Sequence, residues 1–471
     1  MQKQNCPPNK YELFHKALGD LYEEVPVTLL LKDKGISFSI DVWDNVVKWL
    51  HEKGDFTPEM LTEEPAKELI GETYRILSDG THSAITEEVP PELVAQLDQN
   101  TYVFSGFKTY HELKEASNAL VDKDGKIKSF ESFKQDAIKI NNTYNQRYLE
   151  TEYNFAMQSA QMAVKWADME ADGDRYYLQY RTANDSKVRA EHAELHGVTL
   201  PTDDPFWDNY FPPLGWNCRC TVMQVNKDKY QKSNSAEAIK AGERATNTPK
   251  KQIFRFNPGN QGKIFPPKHP YLPKGCEGCN KNKLNLAYNS NSEKCRACLG
   301  IAQCEHIICN KREYERLKKD PDYIDVEFDP KNGGVKGTHK DHNFDKKGGL
   351  YEKHVQNAGY KAGNSVIFGP ENHSTYGVRH TEGLWNGNRF EVAGRETGTL
   401  NNVFRGLKHC AAKRNTQIAV LDFPNGGYNK DILMKAIAKY RGLEKLNDSQ
   451  FVHFEKIICV ENEEIVYEED F

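Results

Sequence analysis

Two groups of cysteines and one run of charged residues carry the chemistry that can be read in this chain. Cys276-x2-Cys279 and Cys295-x2-Cys298 stand fifteen residues apart. Two such knuckles supply four thiolates to one tetrahedral zinc ion, and the loop between them closes the site. Cys304, His306 and Cys309 follow closely, and any of them could replace one of the four. A segment with so few large apolar residues cannot bury enough surface to fold alone, so a structural zinc would supply the missing stability. The other reading is a loop of reduced thiols. Further upstream, Cys218 and Cys220 are alternate residues, which an extended strand points to the same side. They could offer two thiolates to one metal, with His192 as third ligand and Asp185 or His196 completing the shell. Alternatively they are small buried hydrophobes beside Trp207 and Trp216, and His192 is a satisfied core histidine.

The charged run lies near the C-terminal end. Cleavage of RNA through its 2′-hydroxyl needs a base, an acid and a cation for the developing phosphorane charge. Residues 320–471 hold all three types, with Glu391, Arg395, Glu396, Lys408 and His409 on or after one expected strand, and His342 and His354 upstream. Arg405 and Lys408 are three residues apart on an expected helix, with Lys413 beyond, and so share a surface suited to a phosphate backbone. Set against this, histidines in polar loops are usually solvated, and charges on a helix usually form an ordinary exposed face.

Two resemblances follow from the residues themselves. Arg181-Thr182, Asp185, Val188-Arg189, His192, Leu195, Gly197, Pro201, Pro205-Phe206-Trp207, Pro212-Pro213, Gly215-Trp216 and Cys218-Arg219-Cys220 form a long ordered pattern. It resembles the phage Mu F-like minor head, or head morphogenesis, proteins of tailed bacteriophages, and the likeness extends upstream to about Val103. It implies a virion protein that acts near the portal in capsid assembly, with portal and capsid proteins as partners and both the virion head and the bacterial host cytoplasm as its locations. The second resemblance is one of layout: Ala358-Gly359-Tyr360 closing a helix, the Trp385-Asn386-Gly387 turn into Phe390-Glu391-Val392, then Gly398-Thr399, a helix with Lys408, and the Val420-Leu421-Asp422-Phe423 strand. This is similar to the C-terminal tRNA-cleaving domains of CdiA-type contact-dependent inhibition toxins, grouped with barnase, EndoU, colicin and RelE ribonucleases. It implies a metal-independent ribonuclease, tRNA as substrate and an immunity protein as partner. Such toxins often carry a Lys just after the acidic strand residue. Here Val392 is followed by Ala393 and Gly394, which shifts the cationic role to Arg395 or Lys408.

The elements that must position these residues divide the chain into about five stretches. A length of 471 residues is too long for one ordinary core. Residues 1–100 mix short helical patterns with Pro-rich breaks. Residues 101–226 form the head-morphogenesis region, where apolar and small residues recur at helical spacing from Phe130 to Met169, as two packed helices or one long bent one. Residues 227–274 read as a polar linker, with an exposed helix, followed by a Pro-rich strap rather than a core. Residues 275–312 form the Cys-rich, zinc-ribbon-like module. Residues 320–471 alternate strand and helix in a compact α+β domain of the barnase/EndoU/colicin/RelE-like kind. The fold class expected is thus multidomain α+β with a mainly helical N-terminal region.

A net charge of −5 excludes a global basic field for nucleic acid, so any such contact must rest on a local patch. No apolar run reaches the length of a membrane span, and the beginning MQKQNCPPNKYELF lacks a signal-peptide layout, so no membrane role and no export are expected. Eleven cysteines, six of them between Cys276 and Cys309, suit metal binding in a reducing cytoplasm better than a secreted disulfide framework.

Overall fold

The computed structural model describes residues 10–23, 36–85, 89–273, 293–344, 348–370, 381–413, 416–446 and 454–470. The chain divides into two compact units, Met1–Gln303 and Cys304–Phe471. No described helix is long and apolar enough to cross a membrane.

The first unit is mainly helical. Its longer helices are α1 (Lys10–Tyr22), α2 (Ile40–Lys53), α3 (Glu64–Ser83), α4 (Pro91–Ala119), α5 (Phe130–Asn141) and α6 (Leu149–Ala171). A short π-helical stretch, Asn142–Tyr148, joins α5 to α6, so the region reads as one long interrupted helix. Small residues set how closely these helices approach. Ala156, Ala160 and Ala163 of α6 are fully buried, where α6 packs on α3. Residue 100, expected as a boundary, lies inside the 29-residue α4, which runs unbroken across it.

A buried polar network crosses this helical core. Lys108 Nζ donates to Glu152 Oε2 at 2.5 Å and to the Tyr144 carbonyl at 2.7 Å, while Tyr22 Oη donates to Glu152 Oε1 at 2.6 Å. Both Lys108 and Glu152 side chains are 0% exposed. The π-helical stretch contributes here directly, since its Tyr144 carbonyl accepts from a side chain. One turn along α4, Glu112 accepts from Asn145, and burial pushes its carboxyl up to about 8, with Lys108 working against the rise. A carboxyl that titrates higher in the fold than in the unfolded chain stabilises the fold while protonated. That contribution is full below the ordinary value of 4.5 and is lost as pH rises through about 8. The stability of the parent should therefore fall relative to Glu112→Gln between about pH 5 and pH 8, by on the order of a few kcal/mol. Urea titrations at both pH values check this, and parallel behaviour of the two proteins would refute it.

After α6 the chain forms a small antiparallel sheet of order β2-β1-β3, from β1 (Tyr177–Arg181), β2 (Thr199–Leu200) and β3 (Thr221–Val225). Between the strands lie α7 (Ala190–Ala193) and α8 (Phe206–Tyr210). Regular structure is scarce here, and packing replaces it. Trp207 and Phe211 are fully buried, and Trp216 stacks on Tyr22 with ring centroids 5.1 Å apart.

Two expectations for residues 227–274 are corrected. The helix α9 (Ser235–Ala245) buries Ala238, Ala241 and Ala245 in the same cluster as Trp207, so it is a packed element and not an exposed one. The Pro-rich strap is core. Phe265 stacks on Phe104 at 3.7 Å, and Phe254, Phe256, Ile264, His269 and Tyr271 are all buried. Its aromatic residues fill gaps between helices that no local periodicity could supply.

Residues 293–319 form one 27-residue helix, α10 (Glu293–Lys319), and the division between the units falls within it. The Cys-rich module expected over 275–312 is thus helical in its described second half.

The second unit is built on one eight-stranded sheet whose order is strictly sequential: β4 (Tyr323–Phe328), β5 (Val335–His339), β6 (Ser365–Phe368), β7 (Gly383–Trp385), β8 (Asn388–Gly394), β9 (Ile418–Phe423), β10 (Lys456–Glu461) and β11 (Glu464–Asp470). Three neighbouring pairs, β5–β6, β8–β9 and β9–β10, are parallel. Each of these needs a crossover, supplied by α11 (Gly349–Lys361), α12 (Leu400–Ala411) and α13 (Lys430–Leu446). Alternation splits the side chains between two faces. Phe390, Val392, Ile418, Val420, Ile458 and Val460 pack with Val355 and Ala358 of α11. Ala393, Ala419, Leu421, Phe423, Ile457 and Cys459 pack with α12 and α13. The expected α+β domain is therefore corrected to a mixed sheet with helices on both faces, the outcome of its strand–helix alternation.

Candidate functional site

In the second unit the sheet register brings a group of charged residues together. Gly383 pairs with Phe390 across β7–β8, which sets Glu382 opposite Glu391. Glu391 points away from α11, towards the C-terminal end of α12. There Lys413 Nζ lies 2.9 Å from Glu391 Oε2 and 3.1 Å from Glu382 Oε1, and His409 Nε2 lies 3.5 Å from Glu391 Oε1. The Glu391 side chain is 0% exposed, and neither of its oxygens has a partner in hydrogen-bond geometry. Burial pushes its carboxyl up, against the pull of His409 and Lys413. Burial also disfavours the Lys413 ammonium, yet Glu391 and Glu382 together hold it above its ordinary value.

Glu382 also faces a second pair. His342 Nδ1 is 3.0 Å from the Gly369 carbonyl, and its Nε2 is 3.1 Å from Glu352 Oε2 of α11. Ligand atoms of His342, Glu352 and Glu382 all lie within 4.8 Å of one another. The Gly369 carbonyl accepts the Nδ1 proton, so in a neutral ring the Nε2 lone pair faces a carboxylate. Either a proton or a cation must lie between them. Protonation is favoured here, since burial lowers the imidazole's affinity for a proton but Glu352 more than restores it. The same donors suit a hard divalent cation. The arrangement thus joins a basic carboxylate, an imidazole, an ammonium and three potential metal ligands, a set able to move a proton and to neutralise phosphate charge.

The other expected catalytic residues fall into a separate group. His354 Nδ1 pairs with Asp422 Oδ2 at 3.1 Å, and burial pushes the Asp422 carboxyl up to about 6 despite that pairing. The Arg395 backbone N–H donates to the Asp422 carbonyl, and its guanidinium donates to the Asn402 carbonyl. Glu396 accepts from Tyr351 Oη at 3.5 Å. Arg405 and Lys408 are exposed on α12, opposite its buried face of Val403, Phe404, Leu407 and Cys410. The cation at Glu391 is therefore Lys413, assigned from the sequence only to backbone binding, and not Arg395 or Lys408. Glu352 and Glu382 went unrecognised in the sequence. Glu352 lies two residues before His354 on the same helix, a spacing that turns the two side chains apart, and Glu382 precedes a three-residue strand, so neither had a local signal.

In the first unit, His192 Nδ1 lies 3.7 Å from Cys218 Sγ and 3.8 Å from Cys220 Sγ, and no disulfide joins the two cysteines. All three side chains are buried. Hydrogen bonding with Cys220 and His192 holds the Cys218 thiol well below the usual thiol range, and Cys220 is correspondingly raised. Asp185 and His196 do not complete this group. Asp185 forms a bidentate pair with Arg219, both bonds 2.6 Å, and His196 Nδ1 accepts from the Thr182 backbone. Of the second cysteine cluster, Cys276 and Cys279 lie outside the described residues, whereas Cys295, Cys298, Cys304 and Cys309 fall on α10, with Cys298 and Cys304 buried.

Residues 115–223 match the family model described as Phage Mu protein F like protein. Over 81 residues the chain is 42% identical to the putative capsid assembly protein F of Escherichia phage Mu, covering 17% of this chain and 18% of that protein. Over 70 residues it is 39% identical to the Mu-like prophage FluMu F protein of Haemophilus influenzae, covering 15% and 17%. The chain thus spans less than a fifth of the length of each of these relatives. No solved structure matches it.

Proposed function

We propose that the chain is a minor head protein of a tailed phage, acting in capsid assembly near the portal, and that its second unit is a tRNA-cleaving ribonuclease. The observation that carries the first part is the Mu F-like stretch 115–223, whose relatives include a putative capsid assembly protein. Portal and capsid proteins are its partners on this reading, in the virion head and, during assembly, in the host cytoplasm. The chain should copurify with capsids through a density gradient; mature particles and assembly intermediates that both lack it would defeat the assignment.

The second part rests on the buried Glu391 held between Lys413 and His409. Exposed Arg405 and Lys408 on the neighbouring helix supply a surface for the RNA backbone. His342, Glu352 and Glu382 would hold a divalent cation, which would add charge neutralisation at the phosphate. The metal-free acid–base scheme expected from the sequence is thus one of two chemistries that the same residues support. Incubation of the full chain with total tRNA, with magnesium or with chelator, separates them. An immunity protein is the expected third partner if cleavage is found. Salt-sensitive RNA binding without cleavage would favour the alternative, a nucleic-acid-binding virion protein.

Structural zinc at Cys276, Cys279, Cys295 and Cys298, with Cys304 or Cys309 as replacements, stands as a separate proposal. It is tested by limited proteolysis before and after chelation; equal protection of residues 276–309 in both states would count against it.

A further inference from the structure

We infer that His192, Cys218 and Cys220 hold a soft divalent cation of the zinc class, which ties the two ends of the sparsely structured stretch 192–220 together. Three N and S donors converge in a buried place, and their spacing is that of a metal shell. Zinc–sulfur and zinc–nitrogen bonds of about 2.3 Å and 2.0–2.1 Å at tetrahedral angles set sulfur and nitrogen about 3.6 Å apart. The observed separations are 3.7 and 3.8 Å. Without a metal the trio is poorly satisfied, because the Nδ1 atom of His192 faces both sulfurs and has one lone pair, so two thiols cannot both donate to it.

A second observation points the same way. The Tyr180 hydroxyl is fully buried, lies beside Cys220 and has no partner in hydrogen-bond geometry. A neutral thiol is a weak acceptor, whereas a metal-bound thiolate is a strong one, so metal binding would give Tyr180 a partner. Charge also balances. Two thiolates neutralise one divalent cation, leaving no net charge in a buried site.

The staple acts where the backbone gives least support. Among the described residues, regular structure between His192 and Cys218 is confined to the rest of α7, the two-residue β2 and the five-residue α8. A metal joining α7 to the residues just before β3 closes that stretch into a loop. The fourth position has no described imidazole, thiol or carboxylate in reach, since three residues make up the group. It is left to water or to a donor from an assembly partner.

The test uses the full chain with Cys276, Cys279, Cys295, Cys298, Cys304 and Cys309 all replaced by serine, so that the other cysteine cluster does not report. Cobalt is added and its thiolate charge-transfer and tetrahedral absorption are read, with bound zinc counted by elemental analysis. One equivalent of metal per chain is expected. Cys218→Ser and His192→Ala should lose it, and Tyr180→Phe should keep it with affinity lowered roughly 10- to 100-fold. Zinc below a tenth of an equivalent in this background, with Cys218 and Cys220 both reacting at once with a thiol reagent, would overturn the inference. So would a cobalt spectrum unchanged by Cys218→Ser. Because a variant can simply unfold, a second measurement uses that background unmodified at the site: chelator should expose residues 192–220 to protease, and re-addition of zinc should restore protection. Cleavage indifferent to chelator would also overturn it.

Discussion

Replacing Lys108 by methionine is expected to lower the unfolding free energy by about 3–5 kcal/mol, the cost of leaving one member of a buried ion pair without the other. Glu152 would keep the Tyr22 hydroxyl but lose its cation, and the Tyr144 carbonyl of the π-helical stretch would lose its side-chain donor. Both side chains are fully buried, so bulk water does not solvate the group left unpaired. Pairing the change with Glu152→Gln should recover part of the loss, because a neutral amide no longer demands a counter-charge. Five of the six tryptophans lie in the first unit, so fluorescence-detected urea unfolding follows the relevant transition. A single-variant midpoint equal to that of the parent would show that the network has no energetic weight.

On the proposed ribonuclease reading, Glu391→Gln is expected to lower RNA cleavage roughly 10²–10⁴-fold, the range for loss of a positioned acid or base. The amide keeps the volume and neutrality that a buried site tolerates, so thermal stability should stay level or rise slightly. Lys413→Met is the partner experiment. It should depress cleavage while also destabilising the unit, since Glu391 and Glu382 would then face each other without a cation. Lys408→Ala should leave the chemical step nearly intact and weaken RNA binding in a salt-dependent way. Cleavage by Glu391→Gln at the parental rate would remove the assignment, and a stronger effect for Lys408→Ala than for Lys413→Met would relocate the site.

Elements with a repeating pattern were legible in the sequence, and elements made by tertiary fit were not. Val403, Phe404, Leu407 and Cys410 announced α12 at helical spacing, and Asn386-Gly387 marked the hairpin between β7 and β8, where both residues take positive φ. By contrast β11 carries little local signal, since four of the seven residues of Glu464–Asp470 are acidic and only alternate ones are partly covered. Phe254, Phe256, Phe265 and Tyr271 sit between prolines at irregular intervals, and only the finished core shows what they fill. The site divides in the same way. Glu391 and His409 were visible as charges on a strand and a helix, whereas Glu382 is brought to them by register across a hairpin and Lys413 by the residues that follow α12. His192, Cys218 and Cys220 were a plausible ligand set from spacing. Asp185 was not their companion, because a bidentate guanidinium, Arg219, claims its carboxylate.

The sequential strand order of the second unit bears on how that unit is assembled in time. Each strand hydrogen-bonds to the one made just before it, so every ladder can close as soon as its crossover or turn has emerged. No strand must wait for a distant segment, which keeps the loop-closure entropy of each step small and favours rapid folding for a sheet of this size. Accretion keeps β4 as one edge and the newest strand as the other, and β11, the edge opposite β4, sets Glu464, Glu468, Glu469 and Asp470 along its length. Such an edge repels its own copies. This would matter for many chains crowded together at high local concentration.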